Sequence, residues 1–352
     1  MKNVIKIAGG FVVWVIGSGF ATGQEILQFF SSYGYGSYGV VIVNLIGFLV
    51  VGPMLLGVGF EKKDQEDFKH FNYYCGEKLG TFYSWATTIT LLLVMAVLIS
   101  GAGATLSEYY GLNHYVGAAI MAIMILVAYL LGFQRLLKIL SFIGPTIIAF
   151  CLIIGLVTVV KDLGNIDQVP IYEENLSKSQ SSPNWIISSI LYVSYNFLCG
   201  STYYTALGAS CQSKKELTAG AIVGAVALIL AIAVMNTAIL ANAGDTASLA
   251  IPTLYLAKKI SYLLGAVFSV ILVLGIFSSC AAMMWTVCTK FATGDKKKDT
   301  IMAVGIAIFT FILGLFSFSK LIGVFYPIIG YAGIIFIGCV VHKKIEKKRN
   351  IC

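Results

Sequence analysis

Charge is scarce in this 352-residue chain. Asp, Glu, Lys and Arg make up 11% of it against 58% hydrophobic residues, where soluble domains carry roughly 25% charged residues. That excludes an ordinary soluble protein and leaves no stretch for a soluble domain. Histidine is rarer still. His70, His114 and His342 lie outside the apolar stretches or at their ends, which gives a histidine proton relay no support. There is no HExxH, no P-loop and no GxGxxG, since Gly17 and Gly19 are followed by Thr22 where that last motif needs glycine. Catalysis inside a membrane would also ask for more than one buried ionisable group, so the expectation is that the chain is not an enzyme. The eight cysteines (Cys75, Cys151, Cys199, Cys211, Cys280, Cys288, Cys339 and Cys352) form no CxxC and read as small buried hydrophobes rather than disulfides or metal ligands. A cleavable signal is not expected either. The first apolar stretch lacks an A-x-A site and runs on into Gln24 and Glu25.

What the chain does have is length in its apolar runs. Stretches at 4–30, 37–60, 81–106, 114–132, 137–160, 184–210, 217–242, 259–289, 300–317 and 321–341 reach or approach the ~18 residues that cross hydrocarbon. The prediction is an all-α membrane protein with ten transmembrane helices, and an even number puts both termini on one side. Of the 24 lysines and arginines, all but Lys161, Lys178, Lys258, Lys259 and Lys320 fall in segments on the side of the termini. The positive-inside rule makes that side cytoplasmic, in the inner membrane, and it accounts for the net charge of +8 without a nucleic-acid partner. Residues 61–79 carry Phe68, Phe71, Tyr73 and Tyr74 among charges and suggest an amphipathic helix on the inner surface. Residues 161–183, polar with Pro170 and Pro183, read as a plain external loop. The stretch 243–258, with Ile251-Pro252, reads as a short helical cap outside.

Compared with itself at an offset of 182, the chain brings Ser18 onto Gly200, Pro145 onto Pro327 and Lys138 onto Lys320. Five stretches per half is odd, so the second half must run inverted in the membrane, the layout of many secondary transporters. The chain then divides into a first five-helix repeat (1–160), an external connection (161–183), a second repeat (184–342) and a basic cytoplasmic tail (343–352). The inversion explains why Lys320 lies opposite to Lys138.

Both repeats open with an interrupted helix. Ile16-Gly17-Ser18-Gly19 sits inside the first stretch and Cys199-Gly200-Ser201-Thr202 inside the sixth. Loose backbone at membrane depth costs several kcal/mol per unmet group and survives only around a cavity or within protein. A broken helix frees N–H groups on one half and C=O groups on the other. The first suits a carboxylate, the second a cation. Two antiparallel breaks near the midplane thus make a pocket of zwitterion size.

Gly17-Ser18-Gly19-Phe20 resembles the GSG signature in the first helix of the amino acid–polyamine–organocation (APC) superfamily. The stretch Ile16-Gly17-Ser18-Gly19-Phe20-Ala21-Thr22-Gly23-Gln24-Glu25 is similar, more narrowly, to the YkvI-type membrane proteins. The 5+5 layout is similar to the LeuT fold over nearly the whole chain. This resemblance implies a Na⁺ site between the first and eighth helices. It would use carbonyls of Val13, Ile16 and Gly275 and hydroxyls of Ser278 and Ser279. The serines' other reading is bonding to their own helix. Proton-coupled relatives often carry a lysine in the fifth helix, which has none in its interior here.

Glu25 is the most telling side chain. A carboxylate near the midplane costs at least about 2.5–3.5 kcal/mol. It either binds a substrate amine, carries a coupling proton, forms an outer gate with Lys320, or reaches a wet outer vestibule. Tyr195, Asn196, Phe197 and Thr202 flank the second break as substrate contacts or as packing. Met283 and Ser279 line the pocket or the core. Ser100, in Ser100-Gly101-Ala102-Gly103, admits either substrate or a neighbouring helix. Trp14 is an inner gate or packing. The expectation is a secondary transporter, Na⁺-coupled, taking up a small amino acid or related amine. The alternatives are H⁺ coupling, and a ligand-sensing or ion-conducting subunit akin to spore-germination receptors.

Overall fold

The computed structural model describes residues 2–65, 68–131 and 143–349, without the side chains of Lys2, Ser18 and Lys348. The described residues form helices and their connections, with no strand among them. The first apolar stretch is three short helices, α1 (Lys2–Val15), α2 (Ser18–Ala21) and α3 (Gln24–Phe29), followed by a 3-10 segment at Ser31–Gly36. Then come α4 (Ser37–Glu61), α5 (His70–Tyr110), α6 (His114–Leu130) and α7 (Ile143–Asp162). A 3-10 segment (Leu163–Tyr172) and α8 (Glu173–Ser177) connect to α9 (Trp185–Ala209) and α10 (Lys214–Leu240). The chain ends with α11 (Ala243–Thr246), α12 (Pro252–Ile260), α13 (Tyr262–Phe291), α14 (Lys296–Gly314) and α15 (Phe318–Arg349). Arg135 and Lys138, and with them one member of the Lys138–Lys320 comparison, lie outside the described residues.

Six segments of the described residues are long and apolar enough to cross a membrane, and Asn3–Val15 and α6 are shorter apolar helices. The chain is a membrane protein. α9, 25 residues long, is not among the six. It carries Ser188, Ser189, Ser194, Asn196 and Ser201 on buried positions, so this helix turns its polar groups inward.

Side-chain caps set several helix starts. Asn113, Asn184 and Asp295 accept from the N–H two residues on, at 2.9, 2.7 and 2.9 Å, which meets one of the orphan donors of a first turn. Pro53 and Pro327 lie within α4 and α15, where neighbouring helices offset the lost backbone bond.

α9 packs between α4 and α15, and α1 packs along α10. α4 also meets α10, α5 meets α13 and α15, α6 meets α14, and α7 meets α13. Phe11, Phe48, Phe197 and Tyr204, all fully buried, fill the space between α1, α4 and α9, with neighbouring ring centroids 4.9–6.2 Å apart. Beyond them the backbones of α4 and α9 touch. A Cβ on Gly59 would collide with the Thr205 carbonyl, and one on Gly208 with the Leu56 carbonyl. Small residues allow such close approach within a membrane, where packing drives helix association.

Three expectations need correction. The sixth stretch is not interrupted. α9 runs unbroken through Cys199, Gly200, Ser201 and Thr202, because Gly200 serves a side-chain contact described below instead of ending the helix. Residues 161–183 are largely helical rather than plain loop. The inner surface helix shrinks to the first residues of α5, which bends at Gly76 (φ 75°, ψ 175°) and continues to Tyr110. Phe71 and Tyr74 there are buried against Phe336, at 5.4 and 5.9 Å between centroids. Protein packing has taken the aromatic face that the sequence offered to lipid. The stretch 243–258 contains α11 and most of α12, helical as expected.

Candidate functional site

The first helix is broken twice. α1 closes with Ile16 N–H donating to Val12 O (2.9 Å), and the chain resumes with Ala21 N–H donating to Gly17 O (3.0 Å). None of the described hydrogen bonds reaches the carbonyls of Val13, Val15 or Ile16. They are the free acceptors that a helix end leaves. The second interruption follows at Thr22-Gly23. Gly23 is left-handed (φ 82°), a conformation open to glycine at little cost. Thr253 N–H of α12 donates to Thr22 O (3.1 Å), and a Cβ on Gly23 would stand 3.0 Å from that nitrogen. Gly23 therefore both turns the chain and lets α12 dock on it.

The second turn decides where Glu25 goes. Glu25 is 5% exposed. Its Oε1 lies so close to Gly19 that a Cβ there would overlap it. Its Oε2 accepts from the Tyr195 hydroxyl at 2.5 Å. The carboxylate thus lies over the first break, not in a wet vestibule. Tyr195 is surrounded by Phe29, Tyr192 and Tyr326, at 5.6, 5.3 and 4.9 Å between centroids. The Tyr192 hydroxyl is buried without a hydrogen-bond partner among the described residues. None of the described ion pairs involves Glu25. A buried carboxylate met by one neutral donor carries an unmet desolvation cost, which a cation or a proton would relieve.

On the far side of the break stands Trp14. Its indole N–H donates to Asn196 O (3.2 Å) and its ring stacks on Tyr203 at 5.2 Å. Gly200 faces that ring, and a Cβ there would overlap the indole Nε1. Asn196 Nδ2 bonds Tyr192 O at 2.9 Å. Two amides close the other end, beside the 247–251 segment. Gln28 Nε2 donates to Ser319 O (2.7 Å). Gln24, its amide oriented to satisfy its neighbours, donates to Leu249 O (2.9 Å) and Ala250 O (3.2 Å), and accepts from Ser319 Oγ (3.1 Å).

The geometry therefore gathers residues 16–19, Glu25, Tyr195 and Asn196, with Trp14 beneath. Cys199 is half-buried on α9. Other candidates are engaged elsewhere. Phe197 packs on Phe48 and Tyr204. Ser201 and Thr202 reach His70, at 3.2 and 3.4 Å. Ser100 donates to Phe316 O (2.7 Å), and Gly101 and Gly103 face Phe318 and His114, so that stretch serves neighbouring helices. Lys320 is exposed and in none of the described ion pairs, so the Glu25–Lys320 gate is not formed here. Gly275 faces Ile147 of α7. Ser278, Ser279 and Met283 are half-buried on α13. Val13 is 36% exposed, while Ile16 is buried. The Ser18 side chain lies outside the described residues.

Sequence reasoning missed Tyr192, Tyr326, Gln24 and Gln28. Two amides flanking Glu25 within an apolar run, and a tyrosine just before the repeat proline Pro327, were the signals.

No protein-family model matches the chain. It is 22% identical over 351 residues, 98% of its length and 97% of the relative's, to the uncharacterized membrane protein YkvI of Bacillus subtilis. It is also 22% identical over 348 residues, 99% and 98% of the two chains, to the uncharacterized protein YyaD of the same organism. The crystal structure of MhsT in complex with L-phenylalanine matches with a TM-score of 0.60 at 14% identity, over 91% of this chain and 79% of that one. The fold is LeuT-like. The YkvI resemblance seen around the first break thus extends end to end.

Proposed function

We propose that the protein is a cation-coupled secondary transporter that takes up a small amino acid or related amine by alternating access. The observation that carries this reading is the interrupted first helix with the Glu25 carboxylate folded over the break. A substrate ammonium would replace Glu25's missing counter-charge, and a substrate carboxylate would meet N–H groups of α2. Support for ten crossing segments in an inverted 5+5 arrangement comes from the packing. α1 on α10 is mirrored by α9 on α4, α15 on α5 by α7 on α13, and α4–α10, α5–α13 and α6–α14 each pair a helix with its counterpart. Charge distribution favours cytoplasmic termini.

Sodium is the coupling ion this reading prefers. Free carbonyls at Val13 and Ile16 are hard oxygen donors, and Ser278 and Ser279 lie on α13, which packs against α2. The burial of Glu25 favours a second reading, in which it carries a coupling proton. Purified protein separates the two when screened for thermal stabilisation by amino acids and amines with and without Na⁺. Sodium-dependent stabilisation that disappears in Ser278→Ala supports the ion site. Sodium-independent stabilisation that strengthens at one side of neutral pH and is lost in Glu25→Gln supports the proton. Counterflow in proteoliposomes tests transport itself, since a pure sensor shows none.

A further inference from the structure

At the lysine-rich end, the last two turns of α4, the start of α5 and the end of α15 border a narrow cleft open to its surroundings. Its floor is apolar. Met54, Val58 and Val340 line it, together with Gly57, beside which nothing lies within 4 Å of where a Cβ would stand. Its rim is cationic, with Lys343, Lys344 and Lys347. Lys62 and Lys343 both approach the Tyr73 ring, at 5.8 and 5.7 Å from its centroid, which holds two like charges at one aromatic group. Glu61, the carboxylate lining the cleft, is already taken. Glu61 pairs with Lys347 and with Lys214 at 3.7 Å, and Glu346 with Lys343 at 2.9 Å. Of the charged residues lining the cleft, Lys343, Lys344 and Lys347 outnumber Glu61, so the rim keeps an excess of positive charge.

One further group points to a ligand. Tyr74 lines this cleft, is 7% exposed, and its hydroxyl is buried with no hydrogen-bond partner among the described residues. Buried hydroxyls are normally paired. An anionic oxygen entering between the lysines would supply the missing acceptor. Apolar floor and cationic rim together describe an amphiphile. Clusters of four to eight basic residues beside a membrane helix are the usual footprint of anionic headgroups.

We infer that this cleft binds an anionic phospholipid. Its phosphodiester sits among Lys343, Lys344, Lys347 and the Tyr74 hydroxyl, and the start of an acyl chain lies over Gly57. A free phosphate would leave the apolar floor uncovered.

The test follows the melting temperature of the purified full chain in neutral detergent. Phosphatidylglycerol, phosphatidylcholine or inorganic phosphate is added in turn. A saturable rise of several degrees is expected with phosphatidylglycerol alone, as for any ligand that binds only the folded state. Gly57→Leu fills the cleft and keeps every charge. Tyr74→Phe removes the unpaired hydroxyl, and Lys344→Gln one rim charge. Each should melt near wild type in detergent and lose most of the phosphatidylglycerol shift. An equal shift with phosphatidylcholine overturns the inference, as does an equal shift with inorganic phosphate. So does an undiminished shift in both Gly57→Leu and Tyr74→Phe.

Discussion

Replacing Glu25 by glutamine separates what the carboxylate costs the empty protein from what it does for a ligand. Glu25 is buried, with one described hydrogen bond, from Tyr195. An ionised carboxylate at membrane depth costs about 2.5–3.5 kcal/mol, and a hydrogen bond to a charged group returns about 1.5–3 kcal/mol. The two nearly cancel. Glutamine keeps an oxygen that accepts from Tyr195 and nearly the same volume, so Glu25→Gln should melt at or slightly above the wild-type temperature when no ligand is present. Binding should behave in the opposite way. Truncating one partner of a buried hydrogen-bonded charge pair costs about 2–5 kcal/mol, and each 1.4 kcal/mol is tenfold in affinity. An amine ligand found in the stabilisation screen should therefore bind about thirtyfold to a few thousandfold more weakly. Thermal melts and equilibrium titration on the same preparations read both quantities. An affinity within about threefold of wild type would refute pairing between Glu25 and the ligand's ammonium. A large fall in the ligand-free melting temperature would show instead that the carboxylate is a structural necessity.

Other predictions rest on single contacts. Gly19→Ala puts a methyl group where Glu25 Oε1 lies, so it should break the Tyr195 bond and weaken ligand binding about as much as Tyr195→Phe does; titration of the two variants checks this. Gly59→Ala and Gly208→Ala each push a methyl into a backbone carbonyl of the facing helix, and overpacking of this kind costs about 1–3 kcal/mol. Both should lower the melting temperature, and an unchanged value would mean that α4 and α9 separate freely. Gln28→Leu removes the bond to Ser319 and should speed labelling of a cysteine placed at Thr22 by an impermeant thiol reagent, measured against the same cysteine with Gln28 intact.

Helix positions were legible because each apolar run carries its own length, and residues 37–60 or 217–242 need no partner to declare themselves. The break at Gly17 was legible for the same local reason, as two glycines around a serine weaken any helix. The break expected at Gly200 was not there, because a glycine in sequence does not reveal whether it frees the backbone or makes room for a ring. At Gly200 the Trp14 indole takes the space, and that ring lies 186 residues away along the chain. Glu25 was noticed from its cost alone, but its direction depends on the left-handed turn at Gly23 and on α12 docking there. Tyr326 joins the site only through tertiary packing, which no local pattern encodes.

The Trp14–Asn196 bond has one more consequence. Its two residues stand 182 apart, which is the offset of the proposed internal repeat. Under that proposal each is the other's image, and two images can touch only where the two-fold axis passes. A point on such an axis is equally distant from both faces of the membrane. When two inverted halves exchange conformations, it is also where the exchange leaves matter least displaced. The indole would then act as a fulcrum, and a solute lodged beside it would see the aqueous compartments change places while itself moving little.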